Sequence, residues 1–428
     1  MTDSDYPRRT TCPRCGAQVP EGPHWATWCD QCDWNVVAGH AGAARLRFLD
    51  RAKRRVVDRA AGRLSRSIES DPSRLEHRPS RAFELGLSLV ALGGYAGVGV
   101  VGALAALGRL PVGFWRWPLA VFCALLLWAL HPRGPRLGPD EHEVSREECP
   151  ALHEAVGLVA TAVQAPKPER IAVTLEPRVD ARPLGLAGRP ALVIGLPLWA
   201  ASGWAARTAL LAHEIAHQDD RQSAVGQVVA TARHLAWEAV HVMWPVPGDV
   251  VSLRPSNRPL GGLARAVQRG FALPLVGFAL LLDLAGAPVR MVAEYRADAA
   301  AARVAGTGAA VAALASLTAV DPLLVPARSA VRRDEDPWAA LEALPPPPGR
   351  EVERLTRASR ALGHHTDSEH PPTWMRIRVL GAVRGAALGM AQEEARVTIP
   401  PDLRERVNAA MAALQRRFDA DFRARLTA

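Results

Sequence analysis

Lysine is almost absent from this chain of 428 residues. Of its 52 basic residues only Lys53 and Lys167 are lysine, and the others are arginine. Such a bias is typical of a GC-rich bacterial genome and does not by itself indicate arginine chemistry. The formal net charge of +9 fits anionic lipid and nucleic acid equally well, so the charge selects no partner.

An apolar leader segment is also missing. Met1 to Arg81 is polar and lacks the hydrophobic core of a secretory signal. We therefore expect the six cysteines to be reduced, since disulfides are rare in reducing compartments. The composition is nevertheless 49% hydrophobic, which is high for a soluble enzyme and indicates a membrane part.

The longest basic stretch, residues 41–82, is not interleaved with aromatic residues. It holds 12 basic and 5 acidic side chains, a local charge of +7. Single-stranded nucleic acid is held by aromatic stacking as well as charge, so we do not expect nucleic acid as a partner. We interpret the stretch as a basic juxtamembrane helix or linker that meets anionic lipid; a solvated helix is the alternative.

Four of the cysteines form two Cys-x-x-Cys knuckles within residues 1–40. Cys12 and Cys15 are separated from Cys29 and Cys32 by 13 residues. Two such knuckles complete a tetrahedral site, so the spacing predicts a structural zinc ribbon, with redox or disulfide chemistry as the alternative. We expect three tryptophans to cover this module or to form a binding face: Trp25, Trp28 and Trp34.

Two apolar runs predict a transmembrane helical hairpin over residues 83–130. Leu85 to Gly108 has 24 residues without a charge, enough to span a bilayer, and Pro111 to Leu130 follows it. Gly93 and Gly97 are spaced for close helix contact. Seven arginines flank the inner ends and two lie in the turn, so the positive-inside rule puts the N-terminus and everything after residue 130 in the cytoplasm.

Two later apolar segments, residues 225–246 and 271–291, contain charges such as Arg233 and Asp283. A charge at the bilayer centre costs about 2.5–3.5 kcal/mol. We therefore interpret both segments as buried or lying at the membrane surface. The alternative is a double span, because a chain that returns to the same side crosses the membrane twice or not at all.

The globular part begins near residue 140. We predict a helix over Cys149–Ala165 and strands over Ile171–Leu175 and Ala191–Leu196, with the second strand at the open edge of the sheet. Residues 321–369 are interpreted as a loop-rich insertion. A packing helix, Pro401–Leu426, closes the chain.

Residues 213–217 read HEIAH and lie in an apolar stretch that predicts a helix. Residues four apart share a helix face, so His213 and His217 can bind one metal ion, with Glu214 beside them as general base. Two helical histidines that meet by chance are the alternative. Glu294 is the best candidate for a third ligand, and Asp298, one turn later, would orient one of the histidines.

Three motifs, HEIAH at 213–217, EYRAD at 294–298 and HPPTWMRI at 370–377, resemble in this order the HtpX-type and CAAX prenyl endopeptidase family of membrane-associated zinc metallopeptidases. The resemblance covers about residues 140–390. It implies that His213, His217 and Glu294 bind zinc and that Glu214 is the general base. It also implies that His370 and Arg376 reach the cleft and stabilise the oxyanion or the substrate.

The sequence departs from this family in two places. Asp180-Ala181 stands where the family often has an Asn-Ala pair, and the N-terminal ribbon is an added module.

We therefore predict an α+β, mostly α fold. A zincin-like metallopeptidase domain over 140–428, with a small edge sheet, follows the ribbon and the hairpin. The predicted function is a multi-pass zinc metalloendopeptidase of a bacterial cytoplasmic membrane, with one catalytic and one structural zinc ion. Its partners would be protein or peptide substrates and membrane lipid, and the resemblance implies a role in membrane protein quality control. The alternative is a ribbon-based binding or regulatory protein on a peptidase-like scaffold; substrate and oligomeric state are left open.

Overall fold

The structure is a computed structural model that describes residues 6–38, 48–77, 79–131, 136–185, 188–218, 223–243, 259–318, 323–362, 370–385 and 397–427. The chain forms two compact units. The first contains residues 1–78, 135–221 and 290–428, and the second contains residues 79–134 and 222–289. As predicted, the fold is α+β and mostly α.

The described helices are numbered in chain order. The earlier ones are α1 (Phe48–Ser70), α2 (Ala82–Ala106), α3 (Arg116–Ala129), α4 (Pro150–Val163), α5 (Leu196–Ala200), α6 (Trp204–Ala216), α7 (Ala224–Met243) and α8 (Pro259–Ala305). The later ones are α9 (Thr307–Thr318), α10 (Val325–Arg332), α11 (Pro337–Glu342), α12 (Gly349–Leu362), α13 (Thr373–Gly385), α14 (Pro401–Arg417) and α15 (Asp419–Thr427).

The N-terminal ribbon is built on a two-stranded antiparallel sheet of β1 (Arg8–Thr11) and β2 (Gln18–Glu21). Cys12 follows β1 directly, and its sulfur approaches those of the other knuckle. The small core of this module contains Val19, Cys12 and Cys29, all buried.

A four-stranded sheet lies in the first unit, outside the N-terminal ribbon. Its strands are β3 (Glu141–Val144), β4 (Arg170–Thr174), β5 (Val179–Leu184) and β6 (Arg189–Gly195), in the order β3-β4-β6-β5. The β4–β6 pair is parallel and the other two pairs are antiparallel. The two predicted strands correspond to β4 and β6, whereas β3 and β5 were not predicted.

The open edge next to the candidate site is β5, so the prediction that the strand over residues 190–196 forms this edge was wrong. Within β6, Pro190 to Gly195 are all buried. A strand with both faces covered reads as a continuous apolar run, and this run indicated a central strand. The edge strand β5 is more polar and includes Pro183, a residue tolerated at edges because it cannot donate to a ladder.

Helices α4 and α6 pack against one another in the main core of this unit. Side chains such as Leu152, Ile171, Leu192 and Ile215 are buried together there. Thr208 through Ile215 of α6 are all buried, so α6 is held on every side. This burial determines where its histidines lie.

The interpretation of residues 321–369 as a loop-rich insertion was wrong, because α10, α11 and α12 occupy most of the described part. Residues 321–322 and 363–369 lie outside the described residues. The proline run Pro345 to Pro348, on which the interpretation rested, does lie between helices, whereas Pro326 and Pro337 occupy the first turns of α10 and α11. Proline is favoured there because the first helical N–H groups have no intrahelical acceptor.

The predicted closing helix is present as two helices, α14 and α15, with Phe418 between them. Its predicted apolar stripe is buried: Leu403, Val407, Met411, Leu414 and Phe418.

The second unit is a bundle of helices, in which α2 packs against α3 and α7. Close contact in the pair α2–α3 is made at Gly102, where an added Cβ would lie 2.7 Å from Cβ of Cys123. Gly93 and Gly97 were predicted to make such contacts. An added Cβ at either meets no described atom within 4 Å, so that prediction was wrong within this chain.

Two described helical segments, Ala82–Ala106 and Ala272–Ala305, are long and apolar enough to cross a membrane, judged by length and composition alone. The apolar helix over Gly113–Ala129 is shorter.

The backbone around Gly195, where β6 leads into α5, leaves no space for a side chain. An added Cβ would lie 2.1 Å from the carbonyl oxygen of Glu176, and the N–H of Gly195 donates to the carbonyl of Arg178 at 2.7 Å. We expect Gly195→Ala to lower the free energy of unfolding by about 1–3 kcal/mol because backbone must move. Thermal unfolding in detergent measures this, and Gly203→Ala, whose added Cβ meets nothing within 4 Å, is the control. Equal melting temperatures for both variants would contradict the packing described.

Candidate metal centre

Helix α6 brings its two histidines together at its C-terminal end. His213 and His217 are buried, and their Nε2 atoms lie 3.2 Å apart. The separation follows from the helix, because one turn places residues four apart on the same face.

The third predicted ligand, Glu294 of α8, reaches the same point. Its Oε1 lies 3.1 Å from Nε2 of His217, and its Oε2 lies 3.5 Å from Nε2 of His213. Tetrahedral ligands at about 2.0–2.1 Å from zinc are separated by roughly 3.3 Å. Two nitrogens and a carboxylate at these distances fit a zinc ion, in a ligand set that leaves a fourth position for water or substrate.

Glu214 lies next to these donors and is tied to the edge strand. Its Oε2 accepts a hydrogen bond of 3.0 Å from the backbone N–H of Ala181 on β5. Its other oxygen, Oε1, lies 4.0 Å from Nε2 of His213. The carboxylate is therefore held beside the predicted metal-binding nitrogens without replacing one of the predicted ligands.

Asp298 lies behind His213, one turn beyond Glu294 on α8. Its Oδ1 is 3.0 Å from Nδ1 of His213, the ring nitrogen opposite the predicted metal-binding one. A carboxylate in this position fixes the tautomer and orientation of a ligating histidine.

Arg376 of α13 is buried and completes this cluster. Its Nε and Nη2 donate to the two oxygens of Asp298 at 2.8 and 2.6 Å. Nη2 also lies 3.1 Å from Nε2 of His213 and 3.6 Å from Oε2 of Glu294. The guanidinium therefore balances the buried carboxylates.

His370 occupies a more open position. Its side chain is 42% exposed, and its Nδ1 lies 2.7 Å from Oε2 of Glu294. The structure thus brings all the predicted residues of the centre into one cluster: His213, Glu214, His217, Glu294, Asp298, His370 and Arg376. Of the two residues expected to reach the cleft, His370 has solvent access and Arg376 does not.

The charges around His213 affect its proton affinity. Burial and the guanidinium of Arg376 favour the neutral ring, but the carboxylates of Asp298 and Glu294 outweigh them. Together these groups raise the pKa of His213 to about 9 in the absence of a metal ion. Metal binding at this ring therefore has to displace a proton at neutral pH.

The four knuckle cysteines form a second group of potential ligands. Sγ of Cys12 lies 3.7 Å from Sγ of Cys32, and Sγ of Cys15 lies 3.5 Å from Sγ of Cys29. Sulfurs at about 2.3 Å from a tetrahedral zinc are roughly 3.8 Å apart, so these residues also fit the ion. All six cysteines are free thiols.

Ionisation of these thiols favours a bound cation. Burial opposes ionisation of Cys12, yet hydrogen bonds from the backbone N–H groups of Cys15 and Arg14 lower the pKa of its thiol to about 7. Burial and the neighbouring sulfurs raise the pKa of Cys32 to about 12. Four thiolates can coexist here only if a cation neutralises them.

The family follows from comparison with known proteins. A model of peptidase family M48 matches residues 147–384, more than half of the chain. The chain belongs to peptidase family M48. This membership confirms the resemblance and makes the chain a metallopeptidase, a hydrolase that acts on proteins. No curated protein and no solved structure matches it.

The matched span of this M48 peptidase contains all the residues of the candidate metal centre, and the ribbon lies outside it. Peptidases of the family depend on zinc. The assignment of individual residues to the ion stays a prediction.

One partner of the site, the backbone N–H of Ala181, was not predicted. Any residue but proline supplies such a donor, so only the pairing of β5 beside α6 could identify it. The Asp180 side chain instead contacts Arg178 and Arg182 at 3.3 and 3.1 Å.

Zinc binding at the His213 site of this M48 peptidase should depend on pH. Between about pH 7 and 8 the pKa of His213, about 9, exceeds the solution pH, so one proton leaves as metal binds. We expect the apparent Kd for zinc to fall about tenfold per pH unit there. Competition with a chelating dye measures the apparent Kd. His213→Ala, which is expected to retain only the zinc site of the ribbon, gives the background signal. A Kd independent of pH would contradict the raised pKa.

Proposed function

We propose that this M48 peptidase is a membrane-anchored zinc metalloendopeptidase. The observation that carries the proposal is the convergence of His213, His217 and Glu294 beside the carboxylate of Glu214. Zinc held by these three ligands supplies a positive charge that polarises a peptide carbonyl and makes a water molecule more acidic. The remaining steps depend on side chains of this chain.

Glu214 is proposed as the general base. Because Ala181 N–H holds one oxygen of its carboxylate, the other oxygen keeps a fixed position 4.0 Å from Nε2 of His213. From there it accepts a proton from water as the oxygen attacks the scissile carbonyl, and it passes that proton to the leaving amine. Asp298 keeps His213 oriented during these steps.

His370 is proposed to stabilise the negative charge that develops on the carbonyl oxygen. The carboxylate of Glu294 raises the pKa of His370, which favours the protonated ring as a donor. Its partial exposure lets it meet a bound substrate. Arg376 is buried and bonded to Asp298, so its proposed contribution is to hold the cluster and its charge, and contact with the substrate falls to His370.

Strand β5 is the proposed binding edge for the substrate backbone. Its one neighbour in the described sheet is β6, so its outer edge is available to an extended peptide. Such pairing recognises the main chain more than the side chains. We therefore propose broad specificity for unfolded protein segments, consistent with membrane protein quality control.

The exposed apolar faces of α2 and α3 support membrane anchoring. Phe83, Leu89 and Val90 of α2 are exposed, as are Phe122 and Trp128 of α3. Contiguous apolar surface of this kind is rare in soluble proteins and is expected where a helix faces lipid. We propose that these helices form the hairpin predicted for residues 83–130, with the N-terminus and the catalytic centre in the cytoplasm of a bacterium.

The contacts of α7 and α8 favour the double span over the surface arrangement. Helix α7 has 20 residues, about 30 Å of helix, and this matches the bilayer core. Two of the charges that argued against spanning are paired with each other, because Arg233 lies 3.1 Å from Asp283, and Trp237 donates to the same carboxylate at 3.3 Å. We therefore propose four crossings. Residues 244–258, between the two helices, lie outside the described residues.

Replacement of the proposed base separates catalysis from metal binding. We expect Glu214→Gln to keep about two zinc ions per chain, one per predicted site, and to lose casein cleavage by at least about a hundredfold, because glutamine cannot accept the proton. Metal analysis and cleavage in detergent with zinc measure the two properties.

His213→Ala is the matched control, and it should retain about one zinc ion, in the ribbon. If the wild-type chain bound both ions and cut no unfolded substrate, the alternative of a regulatory protein on a peptidase-like scaffold would be favoured. If His213→Ala kept both ions, the metal centre would be assigned wrongly.

A further inference from the structure

Helix α12 faces the second zinc knuckle, residues 28–38, with three arginines. Arg350, Arg354 and Arg357 are spaced by four and three residues and therefore share one helix face. Nη2 of Arg350 donates to the carbonyl of Trp28 at 2.8 Å, and Nη1 of Arg357 donates to the carbonyl of Asp30 at 2.7 Å. The helix thus binds the main chain of the knuckle.

Trp28 packs against two of these arginines. The guanidinium carbons of Arg350 and Arg357 lie 4.7 and 5.1 Å from its ring centroid. The tryptophan is 1% exposed. Its ring therefore serves the contact with α12 and is not available as an external binding face.

Arg354 lies at the centre of this contact and is 1% exposed. Its Nη1 donates to the carbonyl of Val36 at 2.8 Å, while its Nε and Nη2 bond to the carboxylate of Glu351 at 2.8 and 2.7 Å. A buried charge needs such partners. The knuckle supplies one of these partners, the carbonyl of Val36, so the observed position of α12 depends on the ribbon.

The geometry of the knuckle depends in turn on its cysteines. Cys29 and Cys32 bracket the carbonyl of Asp30, and two nearby residues have left-handed backbone, Asp33 with φ of 54° and Asn35 with φ of 61°. Such backbone persists in non-glycine residues only when surrounding interactions hold it. Metal binding by the cysteines is one such interaction.

Two contacts connect α12 to α13, the helix that carries Arg376 of the candidate metal centre. The hydroxyl of Ser359 on α12 accepts a hydrogen bond of 3.3 Å from the N–H of Trp374, at the start of α13. Arg360 lies over the ring of Trp374, with 5.4 Å between guanidinium carbon and centroid. Two residues further along α13, Arg376 bonds to Asp298.

We propose that the ribbon is a built-in support of the catalytic centre, in which Arg354 acts as a positioning residue. By docking on α12, the second knuckle holds α13 and so sets the position of Arg376 relative to Asp298 and His213. The consequence for catalysis rests on the function proposed above, whereas the docking itself does not. The ribbon then belongs to the working peptidase and is not an independent binding module.

Arg354→Ala in the full-length protein tests this proposal. We expect faster amide hydrogen exchange in residues 18–38 and also in α13, together with a fall in kcat for a quenched casein substrate of about tenfold or more, because small displacements in a catalytic centre are costly. KM should change less than about twofold, since Arg354 does not touch the cleft. Zinc bound at the His213 site should be retained.

Two variants serve as controls. Arg328→Ala removes an exposed arginine from α10, and it should match the wild type in exchange and in kcat. Arg354→Lys keeps the charge beside Glu351, and we expect partial recovery of kcat and of protection in α13. Should Arg354→Ala fail to fold, Arg357→Ala at the partly exposed rim is expected to show the same pattern with smaller amplitude.

The results distinguish this proposal from the peptidase function. Faster exchange confined to the ribbon and α12, with α13 and kcat as in Arg328→Ala, would overturn the proposed support. If the wild-type chain cut no substrate, the function would fail, yet coupled exchange of ribbon and α13 would still establish the docking, and uncoupled exchange would refute it.

Discussion

The buried contact between Asp298, Arg376 and His213 is the constraint on which the rest of the candidate centre depends. Three charged or chargeable groups are packed where water cannot solvate them, so each has to be compensated by another. They come from three helices, α8, α13 and α6, and their hydrogen bonds therefore set the relative placement of those helices. The atoms of His213 and Glu294 that are predicted to bind metal acquire their positions from the same arrangement.

A second constraint ties the site to the sheet. Helix α6 is buried along most of its length, and Glu214 accepts a hydrogen bond from the backbone of β5. The proposed base and the proposed substrate-binding edge are thus joined by one hydrogen bond. A peptide paired with β5 would lie within reach of the Glu214 carboxylate.

Sequence reasoning succeeded where local patterns carry the information. The helical spacing in HEIAH, the paired knuckles and the apolar stripe of the last helices were all read from residue periodicity, and the structure brings each set together. It failed for residues 321–369, where the proline run Pro345 to Pro348 was extended to a loop-rich insertion although three helices occupy most of the described part. It also failed to predict β5, since a short polar edge strand has little hydrophobic pattern of its own.

By itself the sequence determined which residues are the candidates for the chemistry, because side-chain type and spacing along one helix or knuckle are local properties. It determined the family for the same reason, through three ordered motifs. Only the tertiary structure decided that the backbone of Ala181 holds Glu214, that Arg376 is buried on Asp298 while His370 stays open, and that the ribbon docks on α12. These contacts join residues from 33 to more than 300 positions apart, and such pairings depend on packing that no local pattern encodes.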